Sequence, residues 1–295
     1  MNSDREALAG ARLALLRTGL VFAVLAAFGA FVARLQAQTP PDSAGVTLTA
    51  LAAPAASTAP AAFAPVPFAV GEELRYKATF GGIPAGSARM RVDGIEVVRG
   101  RPAYHVIFNI DGGIPFFRVH DRYESWIDAR TLASLRHRQQ ISEGRYTRTT
   151  TYEIYPDRAE YRKNDEAPQP SVRDPLDDGS FVYAVRTAAI RVGETRRDDR
   201  YFRPDRNPVI LTGLRMDTVH VGAGTYSTVV VRPSIRANGI FSANGEAQIW
   251  FSDDANRYPV QVKTRFAKFT LTLSLQSVTP GDRALHASEL AAVGR

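Results

Sequence analysis

The chain has 295 residues, a formal net charge of +7 and no cysteine. Its length allows one or two domains. The missing cysteine excludes disulfides, thiol catalysis, cysteine-held zinc and a lipidated N-terminal cysteine, while the basic balance suits phosphates, acidic polymers or anionic headgroups.

Residues 1–17 carry Arg5, Arg12 and Arg17, and an apolar run follows from Gly19 to Ala33, ended by Arg34. A run of roughly 15 residues matches the core of an export signal and falls short of the ~20 that span a bilayer as a helix. Leu35-Gln36-Ala37 offers a cleavage point ending in a small residue. The expectation is a signal peptide over residues 1–37, or an inner-membrane anchor through residues 18–33 whose preceding arginines stay cytoplasmic. Either way the remainder is exported to the periplasm. Residues 38–67 are dominated by Ala, Pro, Ser and Thr and predict a disordered linker.

A single β-rich domain is expected over residues 68–281, large enough to bury its own core. Leu74, Tyr76, Ala78 and Phe80 alternate with polar neighbours, as do Tyr104, Val106, Phe108 and Ile110. Period two with one apolar face predicts half-buried strands. Turn signals separate them: Gly81-Gly82 through Gly86, Asp93-Gly94, Arg99-Gly100, Glu143-Gly144, Gly222-Ala223-Gly224, Asn244-Gly245 and the loop Ser252–Asn256. Gly-Gly-Ile-Pro occurs at 81–84 and again at 112–115, which reads as one turn solution used twice. Asp174-Pro175 reads as an N-cap and first helical residue, and Phe181, Val182, Val185, Ala188 and Ala189 follow at helical spacing up to Gly193. Val260, Val262 and Phe266 line one face, and Phe269, Leu271, Leu273 and Leu275 continue with opposite parity, so a bulge or tight turn is expected at Ala267-Lys268. Residues 282–295 read as a polar tail or frayed helix. The predicted fold is mainly β, an antiparallel curved sheet, half-barrel or barrel of calycin or lipoprotein-carrier type, with one covering helix. A two-sheet sandwich is the competing architecture.

The chemistry-bearing residues are sparse. His105, His120, His137, His220 and His286 lack metal-ligand spacing, and no nucleophile elbow or phosphate loop occurs, so no catalytic, metal or cofactor residue is assigned. The densest polar stretch is residues 120–128, HDRYESWID. On a strand, Arg122, Glu124 and Trp126 share one face with His120, while Asp121 and Tyr123 share the other with Ser125. Asp121 is expected inside, paired with an arginine from a neighbouring strand. Asp121, Arg122, Tyr123, Glu124, Trp126 and Trp250 form the candidate polar cluster, structural or ligand-contacting. Asp253-Asp254 lacks a calcium-loop pattern and reads as turn chemistry. The arginines of residues 135–148 and 157–163 alternate with tyrosines. Export argues against nucleic acid as their partner and leaves an anionic surface.

Five stretches in this order, YKATFGGIPAGSARMRV (76–92), GRPAYHVIFNID (100–111), FRVHDRYESWID (117–128), GTYSTVVVRP (224–233) and IWFSDDANRYPVQV (249–262), resemble the bacterial exported domain-of-unknown-function family 3108. The resemblance covers essentially all of residues 68–281. It implies an exported β-rich domain and carries no catalytic residue with it.

Three functional expectations follow. The first is a non-enzymatic envelope protein with a cavity for a hydrophobic or amphipathic small ligand. The second is an assembly module that binds envelope proteins through a long unpaired strand edge. The third is a hydrolase of an envelope polymer using two carboxylates that converge near Asp121 or Glu124.

Overall fold

The computed structural model describes residues 62–114, 117–235, 247–266 and 269–293. The expected signal or anchor and most of the linker lie outside the described residues, as do Asn244-Gly245 and Ala267-Lys268. Among the described residues no helix is long and apolar enough to cross a membrane.

Alternating side chains build the first half of the sheet: β1 (Glu73–Phe80), β2 (Ile83–Val98), β3 (Arg101–Ile114), β4 (Phe117–Asp128), β5 (Ser134–Glu143), β6 (Tyr146–Tyr155), β7 (Glu160–Lys163) and β8 (Gln169–Pro170). Helix α1 (Asp178–Arg186) follows. The second half is β9 (Thr195–Asp198), β10 (Val209–Val221), β11 (Gly224–Ile235), β12 (Gln248–Ser252), β13 (Pro259–Phe266) and β14 (Phe269–Thr279), and helix α2 (Arg283–Val293) ends it. All fourteen strands form one sheet, ordered β8-β7-β6-β5-β4-β3-β2-β1-β14-β13-β12-β11-β10-β9, and every pairing in it is antiparallel. Both halves are meanders, and they join where β1 pairs with β14, Tyr76 opposite Leu275.

The sheet curls so that Leu74, Tyr76, Ala78, Ala88, Val106, Ile110, Tyr123, Leu273 and Leu275 face a common interior. It stays open, ending in strands of two and four residues. A bridge by residues 199–208 spans the gap. Phe202 N donates to Leu176 O and Phe202 O accepts from Ser171 Oγ, while its ring meets Tyr152 and Tyr161 edge-on at 5.1 and 5.2 Å.

α1 lies inside the curl. Tyr183 packs with Phe68 and the β2–β4 wall, while Val185 packs with Leu211, Val231 and Phe251 of the opposite wall. Its N-cap is Asp177, whose side chain accepts from Gly179 N and Ser180 N while Ser180 Oγ accepts from Asp177 N. This capping box displaces the expected start at Asp174-Pro175, because Leu176 is drawn into a parallel bridge with Tyr201 and cannot enter the helix. The helix ends at Arg186, about two turns before Gly193.

The expected single helix becomes two. Residues 283–293 are no loose tail: α2 packs on the Tyr104 face of β2 and β3, burying His286 and Leu290. Asp93-Gly94 is a bulge within β2 and not a turn. Glu289 Oε2 accepts Ile95 N just beyond that bulge, at 2.8 Å, which satisfies a donor next to the disrupted ladder. The last residues of the expected linker are also packed. Ala64 N donates to Ala129 O, and the Arg130 guanidinium sits 4.7 Å from the Phe63 ring centre.

The two Gly-Gly-Ile-Pro copies do different jobs. Gly81-Gly82 is a two-residue hairpin turn with φ of +57° and +85°, the conformation that suits strand twist. Gly112-Gly113 instead lies within β3. There Gly113, at φ +134°, lets Phe117 O approach where a Cβ would stand. Ser252–Asn256 behaves as expected, with Asp254 Oδ1 accepting Asn256 N, Arg257 N and Ser252 Oγ.

Candidate functional site

A cavity of about 50 Å³, measured for the centres of water-sized molecules, lies between α1 and the concave face of the sheet. Val182, Tyr183 and Gly179 form its roof, and Met90, Val106, Phe108, Ile249, Val262 and Leu273 form most of its walls. Four polar side chains on its boundary turn their polar atoms to protein partners. Tyr76 OH donates to Pro259 O at 2.9 Å, Tyr123 OH to Asp121 Oδ2 at 3.3 Å, and Ser125 Oγ to Asp177 Oδ1 at 2.6 Å. Asp178 Oδ1 accepts Tyr201 OH at 2.8 Å. The exposed lining is therefore almost wholly apolar.

Behind the Ser125 wall is a buried polar network that fixes the start of α1. Asp177 accepts from Ser125 of β4 and Ser134 of β5 as well as capping the helix. His137 Nδ1 is 3.0 Å from Glu124 O, and its Nε2 is 2.9 Å from Gln139 Nε2. The tautomer with its proton on Nδ1 meets both contacts, donating to the carbonyl and accepting from the amide. Ser125, His137 and Asp178 thus lie together with Ser125 3.4 Å from Nδ1 and Nε2 3.6 Å from Asp178 Oδ2. The serine proton is directed at Asp177, and Nδ1 already carries one, so this group is wired as a strut for the helix rather than as a nucleophile and base.

The other end of α1 is fixed by Arg186, which is fully buried. Its guanidinium makes a two-pronged ion pair with Glu72 at 2.7 and 3.0 Å and sits against the rings of Phe68, Tyr183 and Tyr258. Arg257 caps the helix by donating to Arg186 O.

The expected polar cluster divides between two faces. Asp121 is inside, but its partners are Ser142 N at 2.9 Å and Tyr123 OH, not an arginine. The concave surface at that position holds Glu143 instead of a cation. Burial and the Asp121 carboxylate push Glu143 up to about 7, and burial raises Asp121 as well. Neither residue borders the cavity.

Arg122, Glu124 and Trp126 lie on the convex face. Glu124 accepts from His105 at 3.1 Å and Arg122 at 2.8 Å. The hydrogen bond from His105, then that from Arg122, outweighs burial and holds Glu124 down at about 2. Trp126 stacks on His105 at 4.4 Å and donates to Glu96 Oε2. Trp250 is buried in the main apolar cluster, where its indole N–H donates to Asp217 Oδ2 at 2.9 Å and its ring lies near Lys263 and Arg215. Neither tryptophan lines the cavity.

Sequence reasoning did not single out Asp177, Asp178, His137, Glu143, Glu72 or Arg186 as partners. Only the first left a local signal, the Asp177-x-x-Ser180 spacing of a capping box. The outermost strands β8 and β9 are short, and β6 and β10 run past them, so that Tyr146–Thr150 and Leu214–Val221 have a partner strand on one side only.

No curated protein matches the sequence. Solved structures that match include a β-barrel-like protein of domain of unknown function DUF1849 from Brucella abortus, 11% identical, covering 74% of this chain and 100% of that one with a TM-score of 0.47. A protein described as a lipoprotein from Parabacteroides distasonis is 10% identical over 72% of this chain and 98% of its own, TM-score 0.33. A protein described as exported, with a YmcC-like fold, from Bacteroides fragilis is 12% identical over 74% and 99%, TM-score 0.29. The model of the proteins of unknown function DUF3108 matches residues 75–275, from within β1 to within β14, and the chain belongs to that family.

Proposed function

We propose that this is a non-catalytic protein of the bacterial envelope that holds a lipid-like or other amphipathic ligand by its apolar part, in the cavity beneath α1. The observation that carries the reading is the cavity wall, where polar side chains direct their polar atoms away and hydrocarbon faces the void. A site of about 50 Å³ compares with roughly 10–15 Å³ for one water on the same measure. It suits a slender hydrocarbon segment and not a bulky ring system. An apolar void stays dry, and leaving this one empty costs on the order of 1 kcal/mol, so an apolar occupant is favoured. Export is inferred from the three arginines and apolar run of the N-terminus. N-terminal sequencing of the protein from its own host should read from Gln38 if the segment is cleaved.

Native mass spectrometry of the protein purified from its own host tests the binding reading. The wild type is expected to carry a non-covalent apolar adduct. Val262→Phe and Val182→Phe, which fill the cavity, are expected to lose it while keeping the wild-type circular dichroism spectrum. A wild type without adduct, or filled variants that retain it, refutes the reading.

A second reading, polymer hydrolysis, draws on the Asp121–Glu143 pair, since two neighbouring carboxyl groups, both raised by burial, are the group type that glycosidases use for acid–base work. That neither carboxyl group borders the cavity beneath α1 disfavours it. Loss of an envelope phenotype on replacing both by alanine, with the fold intact, would support it.

A further inference from the structure

The ends of the curled sheet differ in chemistry. At one end, four hairpin tips stand side by side, because β6-β5, β4-β3, β2-β1 and β14-β13 are consecutive in the sheet. Their closing pairs are Glu143 and Tyr146, Ile114 and Phe117, Phe80 and Ile83, and Phe266 and Phe269. Of the five whose side chains are described, Phe80, Ile83, Phe117 and Tyr146 are large and apolar or aromatic, whereas turn flanks facing water are usually polar. The row is continuous. Gly144 N donates to Arg118 O with the Phe117 ring over Gly144, and Gly81 N donates to Thr270 O. Ile83 is 71% exposed and Tyr146 49% exposed, among the highest values for large apolar residues in the described chain.

Cations predominate at this end, where Asp111 is paired with His120 and Glu143 is the one carboxyl group among the closing positions. Arg118 and Arg145 are exposed and Arg148 half-buried, and none of the three forms an ion pair among the described residues. The opposite end is neutralised: Arg99 pairs with Glu153, and Arg101 pairs with Asp128 and Asp157. That opposite end is also where α2 and residues 63–70 cover the interior.

The geometry points to the row of hairpin tips as a docking surface for an anionic lipid bilayer, with Ile83 and Tyr146 entering the headgroup region and Arg118 and Arg145 meeting lipid phosphates. Apolar tips flanked on one side by the exposed, unpaired Arg118 and Arg145 match the interface of such a membrane. A polysaccharide would use the cations but leave Ile83 unexplained, and a neutral partner would do the reverse. The tips lie at the far end from the point where the N-terminal segment joins the domain, so a tether and this surface can engage lipid independently. The inference does not rest on the cavity reading, since docking needs no occupant beneath α1.

The absence of native cysteine permits a clean local test on the full chain. Ile83→Cys, Tyr146→Cys and, at the opposite end, Asp157→Cys are each labelled with an environment-sensitive dye and mixed with phosphatidylglycerol–phosphatidylcholine vesicles or with phosphatidylcholine alone. Labels at 83 and 146 are expected to shift to the blue on the anionic vesicles, and the label at 157 is not, even if the N-terminal segment holds every variant on the bilayer. Arg118→Gln and Arg145→Gln should each weaken the response to about one-fifth, and raised salt should weaken it further. Three results overturn the proposal: no shift at 83 and 146 in vesicle-bound protein, an equal shift at 157, or an equal response to neutral vesicles. A concentration-dependent shift without vesicles also overturns it, assigning the tips to a second copy of the chain.

Discussion

Arg186 shows how much one buried charge organises. It is fully buried, its ion pair reaches across 114 residues to Glu72, and aromatic rings occupy its remaining faces. Removing one partner strands the other charge in the interior, which costs about 3–5 kcal/mol. Urea denaturation of Arg186→Met should register that loss, and the double variant with Glu72→Met should recover much of it because no lone charge remains. The carboxylates make opposite pH predictions. Glu124 is held at about 2 in the folded protein, below its ordinary 4.5. Its contribution is present above 4.5 and is lost as the pH falls toward 2. Glu143 is raised to about 7, so the folded state binds its proton more tightly than the unfolded chain does. That contribution is full below 4.5 and disappears as the pH rises through 7, leaving a buried charge beside Asp121. Thermal melts should therefore find Glu143→Gln stabilising at pH 8 and near neutral at pH 4.5, and Glu124→Gln destabilising at pH 7 and less so near pH 2. Period-two reasoning placed Asp121 on the interior face correctly. It could not supply the partner, because Glu143 meets Asp121 only once β4 and β5 are in register.

At the scale of the element, α1 is a strut and not a lid. Asp177 caps it and ties it to Ser125 and Ser134, while Arg186 and Arg257 hold its far end. An N-cap alone is worth about 0.5–2 kcal/mol, and Asp177→Ala would also leave two buried serine hydroxyls without an acceptor. The loss should exceed about 2 kcal/mol in chemical denaturation, whereas Asp174→Ala, at the position first expected to cap, should stay within about 0.5 kcal/mol. Amide exchange in residues 178–186 should be slow in the wild type, and under the proposed function a ligand would enter on the sheet side of the cavity instead of by helix opening. The helix was legible from Phe181, Val182 and Val185. Its start was not, because Pro175 mimics a first helical residue while Leu176 is committed to Tyr201. α2 was legible only as a polar tail or frayed helix: its sequence is short, and it is ordered by the β2 bulge and Tyr104, which lie about 190 residues earlier in the chain.

The whole molecule is a sheet whose halves are separated in sequence and joined at the centre. Tyr76 pairs with Leu275, so the ladder that unites the two meanders closes nearly the full length of the domain. Non-local pairing of this kind makes folding slow, in the ms–s range seen for β topologies, and exposes strands until β14 arrives. Strand content, curvature and several turns could be read from alternation and glycine placement, but the strand order could not, since alternation says which face is buried and not which strand lies beside which. The two tryptophans allow the joint to be tested, because Trp126 lies in β4 of the first half and Trp250 in β12 of the second. In Trp126→Phe, fluorescence reports the second half alone, and in Trp250→Phe the first half alone. If the β1–β14 ladder, α1 and the Arg186–Glu72 pair bind the halves into one cooperative unit, the fluorescence midpoint in urea should coincide with the far-ultraviolet circular dichroism midpoint within each variant. A fluorescence transition that precedes the circular dichroism transition in either variant would mean that one meander unfolds while the other stands, and that the central ladder is a hinge between two folding units.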